Sequence, residues 1–299
     1  MPDSPFSAKA AGTTGAAFLK LAQAARGEAL GGSAAAGAEA TDALFSNPAG
    51  LSSLGPEAPS DLSFSYNSLL ETSYMGYAAY GRAVGSSGAL GASLVYFSQG
   101  AMTAYNGVGD AVGSFRPNDL ALALSYAHRF ARLSLGGSLK MIRSSLDDVS
   151  GMSAALDLGV QAKNACLVGD RPLDLGASVS NFGPPIKLGG VSSPLPFALA
   201  GGMLWHTTPA FDSSLDLHLP ADQDPYVSFG IEAKFRFDKE RRRAALRAGY
   251  NQSHGRDIDG TTGLTAGAGL DLGAFRLDYA WVPFGDLGMQ NRVTLAFRF

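Results

Sequence analysis

The stretch Val227-Ser228-Phe229-Gly230-Ile231-Glu232-Ala233-Lys234-Phe235-Arg236-Phe237 decides the fold. Val227, Phe229, Ile231, Ala233, Phe235 and Phe237 fall on one face of an extended chain, and Ser228, Gly230, Glu232, Lys234 and Arg236 on the other. A half-apolar strand of this length is long for a soluble sandwich, where strands average about 5–6 residues. It suits a tilted bilayer crossing, which takes roughly 9–11 residues.

The alternation recurs through the chain. Met152, Ala154, Leu156, Leu158, Val160 and Ala162 oppose Ser153, Asp157, Gly159, Gln161 and Lys163. Leu215, Leu217 and Leu219 alternate with Asp216 and His218, and Phe275, Leu277, Tyr279 and Trp281 with Arg276, Asp278 and Ala280. Counting such segments gives about fourteen, near 61–69, 73–82, 88–97, 119–129, 132–143, 151–163, 171–181, 195–206, 211–219, 225–237, 243–251, 262–272, 274–282 and 289–299. Taken alternately, the connections form a short set (83–87, 130–131, 164–170, 207–210, 238–242, 273) and a longer one (98–118, 144–150, 182–194, 220–224, 252–261, 283–288). The pattern is imperfect, since 70–72 is a short link on the long-loop side. That asymmetry belongs to transmembrane barrels with short periplasmic turns and long outer loops. The fold class expected is all-β: an antiparallel transmembrane barrel of about fourteen strands.

Composition agrees. Only 16% of the 299 residues are charged and 38 are Gly, against roughly 25% charged and 7% Gly in an ordinary soluble domain. No apolar run is long enough for a membrane helix. A net charge of −3 gives no electrostatic footprint for nucleic acid. The single Cys166 allows no internal disulfide. Met1-Pro2-Asp3-Ser4-Pro5 has no basic or apolar leader region, so the export signal is expected to have been removed or to lie outside the sequence.

In a barrel the apolar faces meet lipid and the polar faces the lumen. Tyr66, Tyr96, Trp205, Tyr250 and Trp281 fit interfacial girdles. Lys140, Asp157, Asp174, Glu232, Lys234, Arg236, Arg247, Asp271, Arg276 and Asp278 make up a lumen wall of both signs, able to pair across strands. The last strand carries Val293, Leu295, Phe297 and Phe299 on one face, and its terminal aromatic resembles the strand by which outer-membrane proteins are recognised for insertion.

One region does not alternate. After a lead expected to be disordered (residues 1–11), the segment 12–60 precedes the barrel of 61–299. Thr13 and Thr14 can cap a helix whose Phe18, Leu21, Ala22 and Ala25 share a face, with Gly31-Gly32 stopping it. Ala-Gly runs such as 30–40 suit close packing in a confined space. The segment ends at a turn, Asn47-Pro48-Ala49-Gly50.

Several stretches together resemble the PorV/PorQ family, relatives of the FadL-type outer-membrane barrels. They are Gly12 to Lys20, Gly27 to Ser33, Asp42 to Leu51, Ser180-Asn181-Phe182-Gly183-Pro184, Leu195-Pro196, Leu246 to Tyr250, Leu277 to Trp281, Leu287-Gly288 and Phe299. The resemblance implies a barrel whose N-terminal segment plugs the lumen, with Asn47, Pro48, Ala49 and Gly50 in the plug or hatch. It implies a bacterial outer-membrane location and a secretion-associated or structural role with protein partners on rim and loops. The alternative it leaves is passive transport of hydrophobic small molecules, as in FadL-type proteins. Expected partners are outer-membrane lipid, the barrel-insertion machinery, and secretion components or a hydrophobic ligand.

Enzymatic chemistry has little support. His128, His206, His218 and His254 are scattered without a metal-ligand spacing, and no nucleophile elbow or phosphate loop is present. No cofactor and no metal are expected. Asp147-Asp148 and Asp222/Asp224 can attract Ca²⁺, but solvated loop acids are the commoner meaning. The run Lys239-Glu240-Arg241-Arg242-Arg243 fits a solvated turn.

Overall fold

A computed structural model of the chain describes all residues except 23, 71, 238–241, 256–259 and 261. Fourteen antiparallel strands close into a barrel, each paired with its sequence neighbour and the last with the first. They are β1 (Ser60–Ser68), β2 (Tyr74–Val84), β3 (Gly88–Ser98), β4 (Asn118–Phe130), β5 (Leu133–Leu146), β6 (Val149–Val168), β7 (Arg171–Phe182), β8 (Ala198–Thr208), β9 (Phe211–Pro220), β10 (Tyr226–Arg236), β11 (Arg243–Asn251), β12 (Leu264–Asp271), β13 (Phe275–Pro283) and β14 (Met289–Arg298). The seam is a full ladder from Asp61↔Arg298 to Ser68↔Asn291. Ser60 and Phe299 exchange backbone bonds of 2.9 and 3.0 Å at its end.

The period of two becomes two faces. On β1 the buried set is Asp61, Ser63, Ser65 and Asn67, while Phe64 and Tyr66 are exposed. Tyr66, Tyr74 and Tyr96 stand outward on adjacent strands near the long-loop rim, successive rings 6.2 Å apart. Phe275 and Phe297 pair at the short-turn rim with centroids 5.5 Å apart. The two groups sit toward opposite ends of the strands, the placement expected of aromatic girdles.

Two connections are tighter than the sequence suggests. The expected loop 144–150 is mostly strand: Ser144↔Gly151, Ser145↔Ser150 and Leu146↔Val149 continue the ladder. Only Asp147-Asp148 turns, with Asp147 at φ 51°, a left-handed state that Asp tolerates. Likewise 164–170 shrinks to Gly169-Asp170, because β6 runs on to Val168 past a bulge. The long side keeps 99–117, carrying the hairpin Met102–Tyr105/Ala111–Phe115, and 183–197, carrying Ile186–Leu188/Val191–Ser193. Within the charged turn 239–243, residues 239–241 lie outside those described.

Candidate functional site: the plugged lumen and its cavity

The segment before β1 runs through the barrel. It starts at the long-loop rim, where Phe6 N donates to Ala221 O at 3.0 Å and Gly15 N to Pro194 O at 2.9 Å. Residues 1–11, read from sequence as a disordered lead, are joined to the 220–224 loop at two points, Phe6 N to Ala221 O and Ala8 N to Asp224 Oδ1. The single helix anticipated after Thr13 is instead a 3-10 turn (Ala17–Lys20) and one α-helical turn, α1 (Ala25–Ala29). Thr14 explains the difference. Its hydroxyl caps nothing and donates to Asp222 Oδ2 at 2.5 Å. Gly31 and Gly32 do end α1, at φ 70° and 85°. The chain then crosses the lumen through two further 3-10 turns, Ala40–Phe45 and Pro48–Ser53, and enters β1 at the short-turn rim.

The plug rests on a girdle of glycines. Gly81, Gly91, Gly136, Gly159, Gly176, Gly230, Gly249 and Gly267 face inward on eight strands, and a Cβ on any of them would run into plug atoms. Gly136 lies under the Pro48–Ala49 peptide and Gly159 under the Asn47 side chain. Glycine is what lets two backbones approach this closely. Eight of the 38 glycines in the sequence are thus accounted for by this contact.

Asn47 is fully buried. Its Nδ2 donates to Ala35 O (2.7 Å), Val160 O (3.0 Å) and Ala177 O (3.2 Å), while Oδ1 accepts from Ala49 N (3.2 Å). Val160 and Ala177 belong to β6 and β7, so one amide ties the plug to two strands. Pro48 follows as the first residue of its 3-10 turn, where a missing N–H costs nothing. Ala49 is buried, and Gly50 lies against Ala38 O.

The charges of the wall meet the plug rather than only each other. An alternating chain runs Arg26–Glu232 (3.1 Å), Glu232–Arg247 (2.7 Å), Arg247–Asp278 (2.7 Å), Asp278–Arg276 (2.9 Å) and Arg276–Asp42 (2.7 Å). Both ends, Arg26 and Asp42, belong to the plug; the middle four come from β10, β11 and β13. Glu232 raises the affinity of Arg26 for its proton, so that guanidinium is permanently charged. Arg292 of β14 binds Glu28 of α1 at 2.8 Å, and Asp61 bonds Thr41.

The remaining wall residues fall into smaller groups. Lys140 pairs with Asp157 (2.7 Å) and Lys234 with Asp212 (2.6 Å). Asp174 meets Lys163 (3.1 Å) and His206 (3.3 Å), and Asp271 meets Arg243 (3.2 Å) and Arg298 (3.1 Å). Arg236 is exposed at the short-turn end of β10. Asp222 and Asp224, weighed as loop acids, are engaged by the N-terminal segment: Lys20 reaches Asp222 at 2.7 Å, and Ala8 N donates to Asp224 Oδ1 at 2.7 Å. Val293, Phe297 and Phe299 are exposed on the outer face of β14 and beyond its end, with Leu295 half-buried between them.

In the long-loop half, plug and wall enclose a cavity of about 990 Å³. Phe18, Leu21, Phe97, Ile186, Leu199 and Phe284 give it apolar surface; Ser144, Ser180, Asn181, Asp216, His218, Asn251 and Gln290 supply polar groups. Burial holds His254, on its upper wall, below the usual imidazole value, so it is neutral at pH 7.

A closed antiparallel barrel of this kind is a bacterial outer-membrane architecture. A family model described as PorV, type IX secretion system protein PorV, matches residues 5–192, more than half of the chain. The chain belongs to the PorV family. Two solved barrels show the same fold. The toluene transporter TbuX of Ralstonia pickettii superposes with a TM-score of 0.61 at 17% identity, over 93% of this chain and 99% of that one. The Pseudomonas putida toluene transporter TodX superposes with a TM-score of 0.59 at 14% identity, over 92% and 96%. No curated protein sequence matches the chain.

In this PorV-family barrel the residues that sequence reasoning missed are Arg26, Glu28, Asp42, Asp61 and Arg292, together with the wall glycines. The three plug charges had one available signal. They are isolated ionisable residues in an Ala-Gly segment, where burial demands a partner.

Proposed function

We propose that this barrel serves protein secretion across the outer membrane as a plugged scaffold, with protein partners bound on its rim and long loops. Family membership supports the role. The observation that carries the mechanism is the plug. An ion chain with both ends in the plug, eight glycine contacts and the Asn47 bonds oppose any wide aqueous path, so function falls to the surface. The hairpin Met102–Tyr105/Ala111–Phe115 offers such a surface, exposing Tyr105, Val108 and Val112 beyond the barrel. An isolated two-stranded hairpin has little stability of its own, which a docked partner would supply. The C-terminal face of Val293, Leu295, Phe297 and Phe299 is proposed to be read by the insertion machinery, and removal of Phe299 should lower the amount of barrel reaching the membrane.

A strain lacking the protein is expected to lose a set of surface or secreted proteins, and replacing residues 102–115 by a short Gly-Ser turn should reproduce the loss with normal barrel levels. A surface proteome identical to wild type in both strains would sink the proposal. The cavity favours a second reading, passage of small hydrophobic molecules, since two barrels that share the fold are toluene transporters. It predicts a growth defect of the deletion strain on hydrocarbons or fatty acids with secretion intact.

A further inference from the structure

The charge balance of the cavity points to what it holds. Among the described residues three Lys and Arg side chains line it, and each is paired within the protein: Lys20 with Asp222 (2.7 Å), Arg26 with Glu232 (3.1 Å) and Arg292 with Glu28 (2.8 Å). Of the lining carboxylates, Glu28 belongs to one of these pairs and Asp42 binds Arg276 at 2.7 Å. Asp216 is engaged by the plug backbone, accepting from Ala34 N and Ala35 N at 2.8 Å each. Asp119 differs. It lines the cavity, and among the described residues it has no cationic partner.

Its setting is as telling as its charge. Asp119 faces inward at the long-loop end of β4, directly across from Phe97 on β3 and Ser144 on β5. Cross-strand neighbours on one face hold their Cβ atoms about 5 Å apart. Phe97 lies parallel to Phe18 of the plug, centroids 6.4 Å apart. Leu21 and Ile186 continue this apolar surface. A carboxylate beside aromatic faces attracts an ammonium group through both its charge and the ring quadrupole. A carboxylate ligand would meet Asp119 and find each described lining Lys and Arg already paired, so its burial would go uncompensated.

We infer that the cavity is a binding site for a single-chain organic amine, its ammonium group at Asp119 and its hydrocarbon tail along Phe97, Phe18, Leu21 and Ile186. Its volume is at the upper end of the roughly 300–1,000 Å³ of small-molecule pockets. The assignment is independent of the secretion role: it names what the lumen takes up, whatever docks outside.

The test uses the full chain in phosphatidylcholine nanodiscs, titrated calorimetrically with dodecylammonium, dodecanol and dodecanoate, with empty discs subtracted. Dodecylammonium should bind at least about tenfold more tightly than dodecanoate, since only the amine gains a charge-assisted hydrogen bond at Asp119. Asp119→Asn should remove that advantage and leave dodecanol unchanged, whereas Phe97→Ala should weaken amine and alcohol alike. Dodecanoate binding as tightly as the amine would overturn the inference, and so would an amine affinity unmoved in Asp119→Asn. Heat-modifiable mobility reports that each variant is folded. The wild-type comparison of amine with carboxylate decides the question if Asp119→Asn does not fold.

Discussion

The two halves of the plug are held by different means. From Leu30 to Leu54 the chain is bonded to strands: Asn47 to β6 and β7, Asp42 to Arg276 on β13, Thr41 to Asp61 on β1, and Ser52 to Ser134 on β5 at 2.8 Å. From Phe6 to Leu21 it is bonded to loops: Phe6 to Ala221, Gly15 to Pro194 and Lys20 to Asp222. The lower contacts are buried, and the lysine of the upper ion pair is 32% exposed. Buried and unpaired partners are expensive, whereas exposed ion pairs contribute little. One continuous segment is therefore a fixed septum below and a lightly held cover above.

That contrast can be broken first at the girdle. Gly159→Val puts a side chain where Asn47 and Pro48 lie, so the septum cannot seat. Planar bilayers should then show a large, persistent conductance absent from wild type; a silent variant would mean the glycine contact is dispensable. Next comes Arg276→Met, which strands Asp42 and weakens Asp278. Its cost should be about 3–5 kcal/mol, read as a lower urea midpoint in micelles. Adding Asp42→Asn should return part of it, and strictly additive effects would refute the coupling.

Asn47→Ala removes its amide from the carbonyls of Val160 and Ala177 and leaves Ala35 O with Gln161 Nε2 alone (3.2 Å), at about 1–3 kcal/mol for a buried unsatisfied group. It should raise conductance less than Gly159→Val does. The smallest effect belongs to the cover. Lys20→Ala should change global stability by no more than about 1 kcal/mol while exposing the chain ahead of Ala22 to proteolysis. A stability loss matching that of Arg276→Met would erase the distinction between the halves.

The barrel was legible because its cause is local. Alternation is visible within eleven residues such as 227–237, and each strand repeats it. The plug was legible only as an interruption, since its order comes from residues far away in the chain. Arg26 meets Glu232 and Asp42 meets Arg276 across more than 200 positions, and no periodicity encodes such pairs. The helix expected near Thr13 failed for the same reason: Asp222 takes the hydroxyl that would have capped it. The glycines were countable, but what they face is set by register.

The plug enters at one rim and leaves at the other, and it is bonded to strands from both ends of the sequence. Its partners include β1 and β14, the two strands whose pairing closes the cylinder. Seating the plug and closing the seam therefore draw on the same pair of strands.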